Sequence, residues 1–130
     1  MADLTIRIPS AHLAAVRSSL QHVRAGLADA ITMARAAGEP LDGYLVELRD
    51  ADAALAQLAE GECRESVALT AHPELLSDVL HGALADATEA FDHACEADWR
   101  GESPDPSPGE ALQRLLALFT LFEDVQGRDD

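Results

Sequence analysis

The chain contains no lysine: all nine of its basic side chains are arginines, set against 24 acids, for a formal charge of −15 over 130 residues. That imbalance opposes nonspecific attraction to nucleic acid or to an anionic membrane surface. Arginine and alanine in excess with no lysine is also what GC-rich codons or a high-salt cytoplasm produce, so the acidity describes a solvent as readily as a partner. Aromatics are scarce, with three Phe, one Tyr and one Trp, and any core must therefore be aliphatic. Val, Ile and Thr are few as well, which argues against an extensive sheet. No apolar run approaches the roughly 18 residues that a membrane span needs. The opening MADLTIRIPS has neither a basic start nor a long apolar stretch, so no export signal is expected. Cys63 and Cys95 stand apart without CxxC spacing, and two free thiols in a reducing cytoplasm follow as the expectation. The chain also lacks Gly-x-Ser-x-Gly, a phosphate-cradling glycine loop and the dinucleotide fingerprint. No cofactor is expected.

What is present favours helices. Alanine and leucine make up a third of the chain, and both are strong helix formers. The stretch Ser107–Gln126, SPGEALQRLLALFTLFEDVQ, carries the clearest signals. Ser107 can cap, Pro108 suits the first helical position, and Glu110 can return a bond to the cap's backbone. Gly127 marks the expected stop. Between them, Leu112, Leu115, Leu116, Leu118, Phe119, Leu121, Phe122 and Val125 cover about half the helix circumference at roughly 100° per residue. That is wider than the stripe of a helix lying on a surface, so the other helices are expected to gather around this one.

Three longer helices are read upstream. The first covers 10–37, with Leu13, Val16, Leu20, Val23, Leu27, Ile31 and Ala34 on one face and a stop at Gly38. The second covers 41–60, with Leu41, Tyr44, Leu45, Leu48, Ala51, Leu55 and Leu58 buried, and the third covers 73–99, opened by Pro73. A fourth, 108–126, completes an all-α fold: an antiparallel, up-down-up-down four-helix bundle in one domain, 10–127. Ahead of it, Leu4, Ile6 and Ile8 alternate with Thr5 and Arg7, a strand pattern. No second convincing strand is found to pair with it. Residues 1–9 are therefore read as a short extended N-terminal arm, laid on the bundle or paired with a second subunit. Residues 62–72 read as a connection containing a helical turn near Ser66–Thr70.

Three groups of side chains are candidates for function. Leu115, Leu118, Leu121, Phe122 and Val125 form an interface candidate if the wide arc of the last helix exceeds what three neighbours cover. Arg17, Arg24 and Arg35 form a basic stripe on the first helix. Residues 1–35 balance at +2 and the remainder at −17. The simplest role for these arginines is ion pairing with neighbouring acidic helices. Asp52 falls inside the edge of the second helix's apolar stripe, where a carboxylate is costly unless paired, and one of these arginines is expected to reach it. Finally, Glu89, His93 and Glu96 project from one side of the third helix at spacings that suit a divalent metal. A solvated acidic face accounts for them more simply, because di-iron bundles need Glu-x-x-His motifs that are absent here.

Two short stretches resemble known families. Arg17-Ser-Ser-Leu-Gln-His22 resembles the Arg-x4-His signature of HEPN-type nucleases, which implies an RNA-cleaving pair at Arg17 and His22. Ser18 stands where that family usually places Asn, Asp or His after the arginine, and the motif sits in the first helix and not late in the bundle. LTIRIPSAHLAAVRSSL resembles the strand and first helix of ribbon-helix-helix repressors. That resemblance implies a DNA-binding dimer in which Thr5 and Arg7 read the major groove, and it ends where the expected turn before a second short helix is missing.

The reading that results is a non-enzymatic, cytoplasmic, acidic helical bundle acting through protein–protein contacts with a partner or with itself as a homodimer. Membrane and nucleic acid are not expected partners. A metal-binding protein or metal-dependent enzyme using Glu89, His93 and Glu96 is the first alternative, and a DNA-binding dimer through the arm the second.

Overall fold

The structure is a computed structural model that describes residues 3–61 and 64–129. Strand β1 (Leu4–Pro9) leads through a single 3-10 turn, Ser10–His12, into α1 (Leu13–Ala37). Then come α2 (Asp42–Glu60), β2 (Ser66–Ala71), α3 (Pro73–Trp99) and α4 (Pro108–Asp129). The fold is thus mostly helical, with four helices and one small sheet.

Local chemistry sets most of these boundaries. Gly38 ends α1 in the left-handed region at φ 72°, and its N–H donates to the carbonyls of Ala34 and Arg35. Glu39 closes the motif by donating its N–H to the Ala34 carbonyl at 2.9 Å, which satisfies carbonyls the last turn leaves open. At the start of α3, Pro73 takes the first turn and the His72 ring Nδ1 accepts from the Glu74 N–H at 3.1 Å. Ser107 Oγ accepts from the Glu110 N–H at 3.3 Å, anchoring the start of α4. Gly127 does not stop α4, which runs on to Asp129.

The N-terminal segment is not a free arm. β1 pairs antiparallel with β2 of the same chain, in the register Leu4↔Ala71, Ile6↔Leu69 and Ile8↔Val67. Ile6 and Ile8 from one strand and Val67, Leu69 and Ala71 from the other are buried. The helical turn expected near Ser66–Thr70 is therefore a strand, and its alternation matches that of β1. The outer edge of β2 is closed by α2: Gln57 Nε2 donates to the Thr70 carbonyl at 2.9 Å, and the Thr70 N–H donates to Gln57 Oε1 at 2.8 Å. One side-chain amide here does what a third strand would do, satisfying both backbone groups of Thr70.

Both strands feed one core. Leu20 and Val16 of α1, Leu58 of α2, Leu76, Val79 and Leu80 of α3, and Leu118 and Val125 of α4 join Ile8 and Leu69 in a single buried cluster. α1 and α3 approach closely where Ser19 Oγ donates to the Val79 carbonyl at 2.6 Å; a Cβ at Gly82 would strike that hydroxyl.

The helices do not gather around α4. α1 packs on α2 and α3, and α4 packs on α3 and more lightly on β1. α3 is the main neighbour of α4, and the deeply buried row of α4 is narrow: Ala111, Leu118 and Val125, seven residues apart. α2 likewise buries only Ala51, Ala54 and Leu58. Tyr44 and Leu45, expected inside, are 36% and 42% exposed, because the first half of α2 extends past the shared core.

Candidate functional site

The apolar surplus of α4 lies on a different row from the one expected. Leu118 and Val125 are core residues at 1% and 0% exposure, and Leu115, Leu121 and Phe122 are half-buried. Phe122 stacks obliquely on His81 of α3, with ring centroids 6.0 Å apart. The outward row is Leu112, Leu116 and Phe119, exposed by 39%, 55% and 45%. Their spacing of four and three residues stacks them on one face of the helix. The spacing of the apolar residues gives the width of the arc but not which edge α3 covers.

The arginine row on α1 splits. Arg24 donates from Nε to Oδ1 of Asp52, joining α1 to α2. Asp52 is not a buried charge, since about half of its side chain and of Arg24's remains exposed. An ion pair so open to solvent contributes less than about 1 kcal/mol, and its value is to fix the register of two helices. Arg17 is half-buried and engaged, while Arg35 is exposed. His22, the other half of the Arg-x4-His spacing, is exposed. Five residues separate it from Arg17, or roughly 140° around the helix, so the two do not share a face.

Glu89, His93 and Glu96 do share one side of α3, but they do not converge. His93 Nε2 and Glu89 Oε1 are 4.0 Å apart on side chains more than 70% exposed. Glu96 Oε1 instead lies 3.6 Å from Arg100 Nη1. Among the described residues no three His, Cys, Asp or Glu side chains sit together as a cation site. Helix spacing placed them on one face; long side chains in open solvent need not meet there. Cys95 is a free, exposed thiol, and Cys63 lies outside the described residues.

Thr5 and Arg7 are exposed, as a groove-reading strand would have them, but their partners belong to the same chain. Thr5 Oγ1 is 2.7 Å from Thr70 Oγ1, and Arg7 Nη1 donates to Ser66 Oγ at 3.0 Å. The ribbon that a repressor of that kind builds between two subunits is completed here within one.

His12 is held away from its ordinary state. It is nearly buried at the turn into α1, and burial, followed by the nearby Arg114 guanidinium, lowers its pKa from the ordinary 6.5. The folded state therefore resists a proton that the unfolded chain accepts. Above pH 6.5 both states are neutral at His12 and it has no effect. Below pH 6.5 stability falls, and the loss is complete once the pH has passed the lowered folded pKa. Denaturant titrations of wild type and His12→Asn at pH 7.5 and pH 5.5 check this. The wild type is expected to lose more stability than the variant between those two values, and an equal loss contradicts the assignment.

Comparison with known protein families, with curated proteins and with solved structures finds no match. Among the described residues no helix is long and apolar enough to cross a membrane. One feature that periodicity did not reveal remains: a recess of about 770 Å³ where α1, the first half of α2 and the start of α3 meet. Its residues come from segments far apart in sequence, and no local pattern announces it.

Proposed function

We propose that this is a non-enzymatic interaction protein that pairs with a second copy of itself through the outward face of α4. The observation that carries the proposal is the exposed row Leu112, Leu116 and Phe119 set in a stretch, 111–122, with no acid and a single charge, Arg114. Two molecules at −15 repel one another, so a self-contact has to sit where acids are missing and apolar area is gained. The face meets both conditions. A two-fold contact would bring the same row from each copy together. The proposal takes consecutive helices as antiparallel neighbours, two hairpins, α1–α2 and α3–α4, sharing the core at the sheet. The contacts of Arg24 with Asp52 and of Gln126 Nε2 with Ser77 Oγ, 2.6 Å, favour that arrangement.

Light scattering coupled to size exclusion tests it. A dimer is expected for the wild type and a folded monomer for Leu116→Asp, since Leu116 is more than half exposed and its replacement should leave the core intact. A wild type that stays monomeric across the micromolar range overturns the proposal.

A further inference from the structure

The recess between α1, α2 and α3 has an apolar floor and an acidic rim. Val23 and Leu27 of α1, Val46 of α2 and Leu75 of α3 supply the floor, and Val46 is left 65% exposed. Around them stand six carboxylates, Asp3, Asp42, Glu47, Asp50, Glu74 and Asp78, against one arginine, Arg49. Among the described residues none of the six is held in an ion pair. Among the described residues, Asp50 alone of these carboxylates accepts a hydrogen bond, from the His72 N–H at 3.3 Å.

We infer that this groove receives a basic amphipathic segment of a partner protein, its apolar side chains on the floor and its arginines or lysines against the rim. Neither half of the site suffices alone. A purely ionic ligand leaves Val46 and Leu75 uncovered, and a purely apolar one crowds unneutralised carboxylates together in a drier setting. The rim is too long for a single amine: Asp42 and Asp50 lie eight residues apart on α2, about 12 Å at the helical rise. A row of cations spaced along one polypeptide matches it, as in helix-in-groove recognition. A second copy of this chain does not supply such a row. Its basic side chains concentrate on α1, where Arg24 is bound to Asp52 and Arg17 is engaged. The charge of the rim also speeds encounter with a basic partner at low salt.

The inference is independent of the α4 contact and is tested on the full chain by calorimetric titration with a synthetic amphipathic helix of leucine and lysine. Saturable one-to-one binding that weakens with salt is expected. Affinity should fall by about tenfold or more in Glu47→Gln/Asp42→Asn and again in Val46→Ser, all exposed positions that leave the fold intact. Glu89→Gln/Glu96→Gln, away from the groove, should bind as wild type. A lysine–serine peptide of the same charge that binds equally well overturns the inference, as does an equal loss in the Glu89/Glu96 control. Either result reduces the interaction to the general acidity of the molecule.

Discussion

Leu69→Ala is expected to lower stability by about 2–5 kcal/mol, and the melting temperature by roughly 10–20 °C. Leu69 is 1% exposed in the middle of β2, opposite Ile6, and belongs to the cluster shared by all four helices. Truncating it removes apolar burial and leaves a cavity that strands pinned by cross-strand bonds cannot close. Leu116→Ala makes the contrast. That residue is just as apolar, but it faces solvent at 55% exposure, and its loss should stay within about 0.5 kcal/mol for the monomer. Thermal unfolding followed by far-ultraviolet circular dichroism checks both, because Trp99, at 89% exposure, is a poor reporter of the core. If Ser66–Thr70 were a helical turn in a connection, as its sequence suggested, and Leu69 lay open to solvent there, the two variants would behave alike.

The second large effect is expected at Gly61. This residue ends α2 at φ −95°, ψ 6°, a conformation open to any amino acid. Its glycine is required by space. A Cβ there would strike Val67 Cγ2 and sit 2.8 Å from Val67 Cγ1 and 3.1 Å from Val67 Cβ. Val67 is β-branched, fixed in the strand and 5% exposed, so it cannot swing aside as a long side chain would. Gly61→Ala should therefore push β2 away from α2 at a cost of about 1–3 kcal/mol, against the slight gain alanine usually brings. In a Val67→Ala background the same substitution should cost less than about 0.5 kcal/mol, since the obstructing methyls are gone. A double-mutant cycle by urea denaturation measures this coupling; additive costs would show that α2 and β2 are not in contact there.

Much of the fold could be read from the chain. Caps and breakers at Gly38, Pro73, Ser107 and Pro108 announce helix ends through local chemistry that tertiary packing leaves in place. Ile6 and Ile8 announced a strand by alternation with polar neighbours. Their partner did not stand out, because in SVALTA the outward residue Ala68 is as small and apolar as the inward Ala71, and the period of two is blurred. The error about α4 has a different cause. An arc of apolar residues states how much surface wants cover and is silent on what covers it. The shared core takes the Leu118 and Val125 side, and Leu112, Leu116 and Phe119 are left out. Asp52 illustrates the same limit: a partner on α1 was expected because a buried carboxylate needs one, yet the pair with Arg24 forms while Asp52 stays half exposed, and that exposure depends on how far α2 overhangs the core. The acid-rimmed groove was hardest to foresee, since Val23, Val46 and Leu75 become neighbours only once three helices are in place.

β1 and β2 close against each other within one chain and complete the core on which both proposed surfaces, the groove and the α4 face, are built. Thr5 and Thr70 face each other across the strands, with outer backbone groups as at Gln57, so theirs is the closely spaced kind of pair that a disulfide can span. The direct measurement is oxidation of a Thr5→Cys/Thr70→Cys variant in which Cys63 and Cys95 are replaced by serine, read by intact mass and non-reducing electrophoresis. The account predicts a crosslinked single chain formed in high yield at micromolar concentration. A covalent dimer joined through the same positions, or a folded chain whose two thiols stay free, would contradict it.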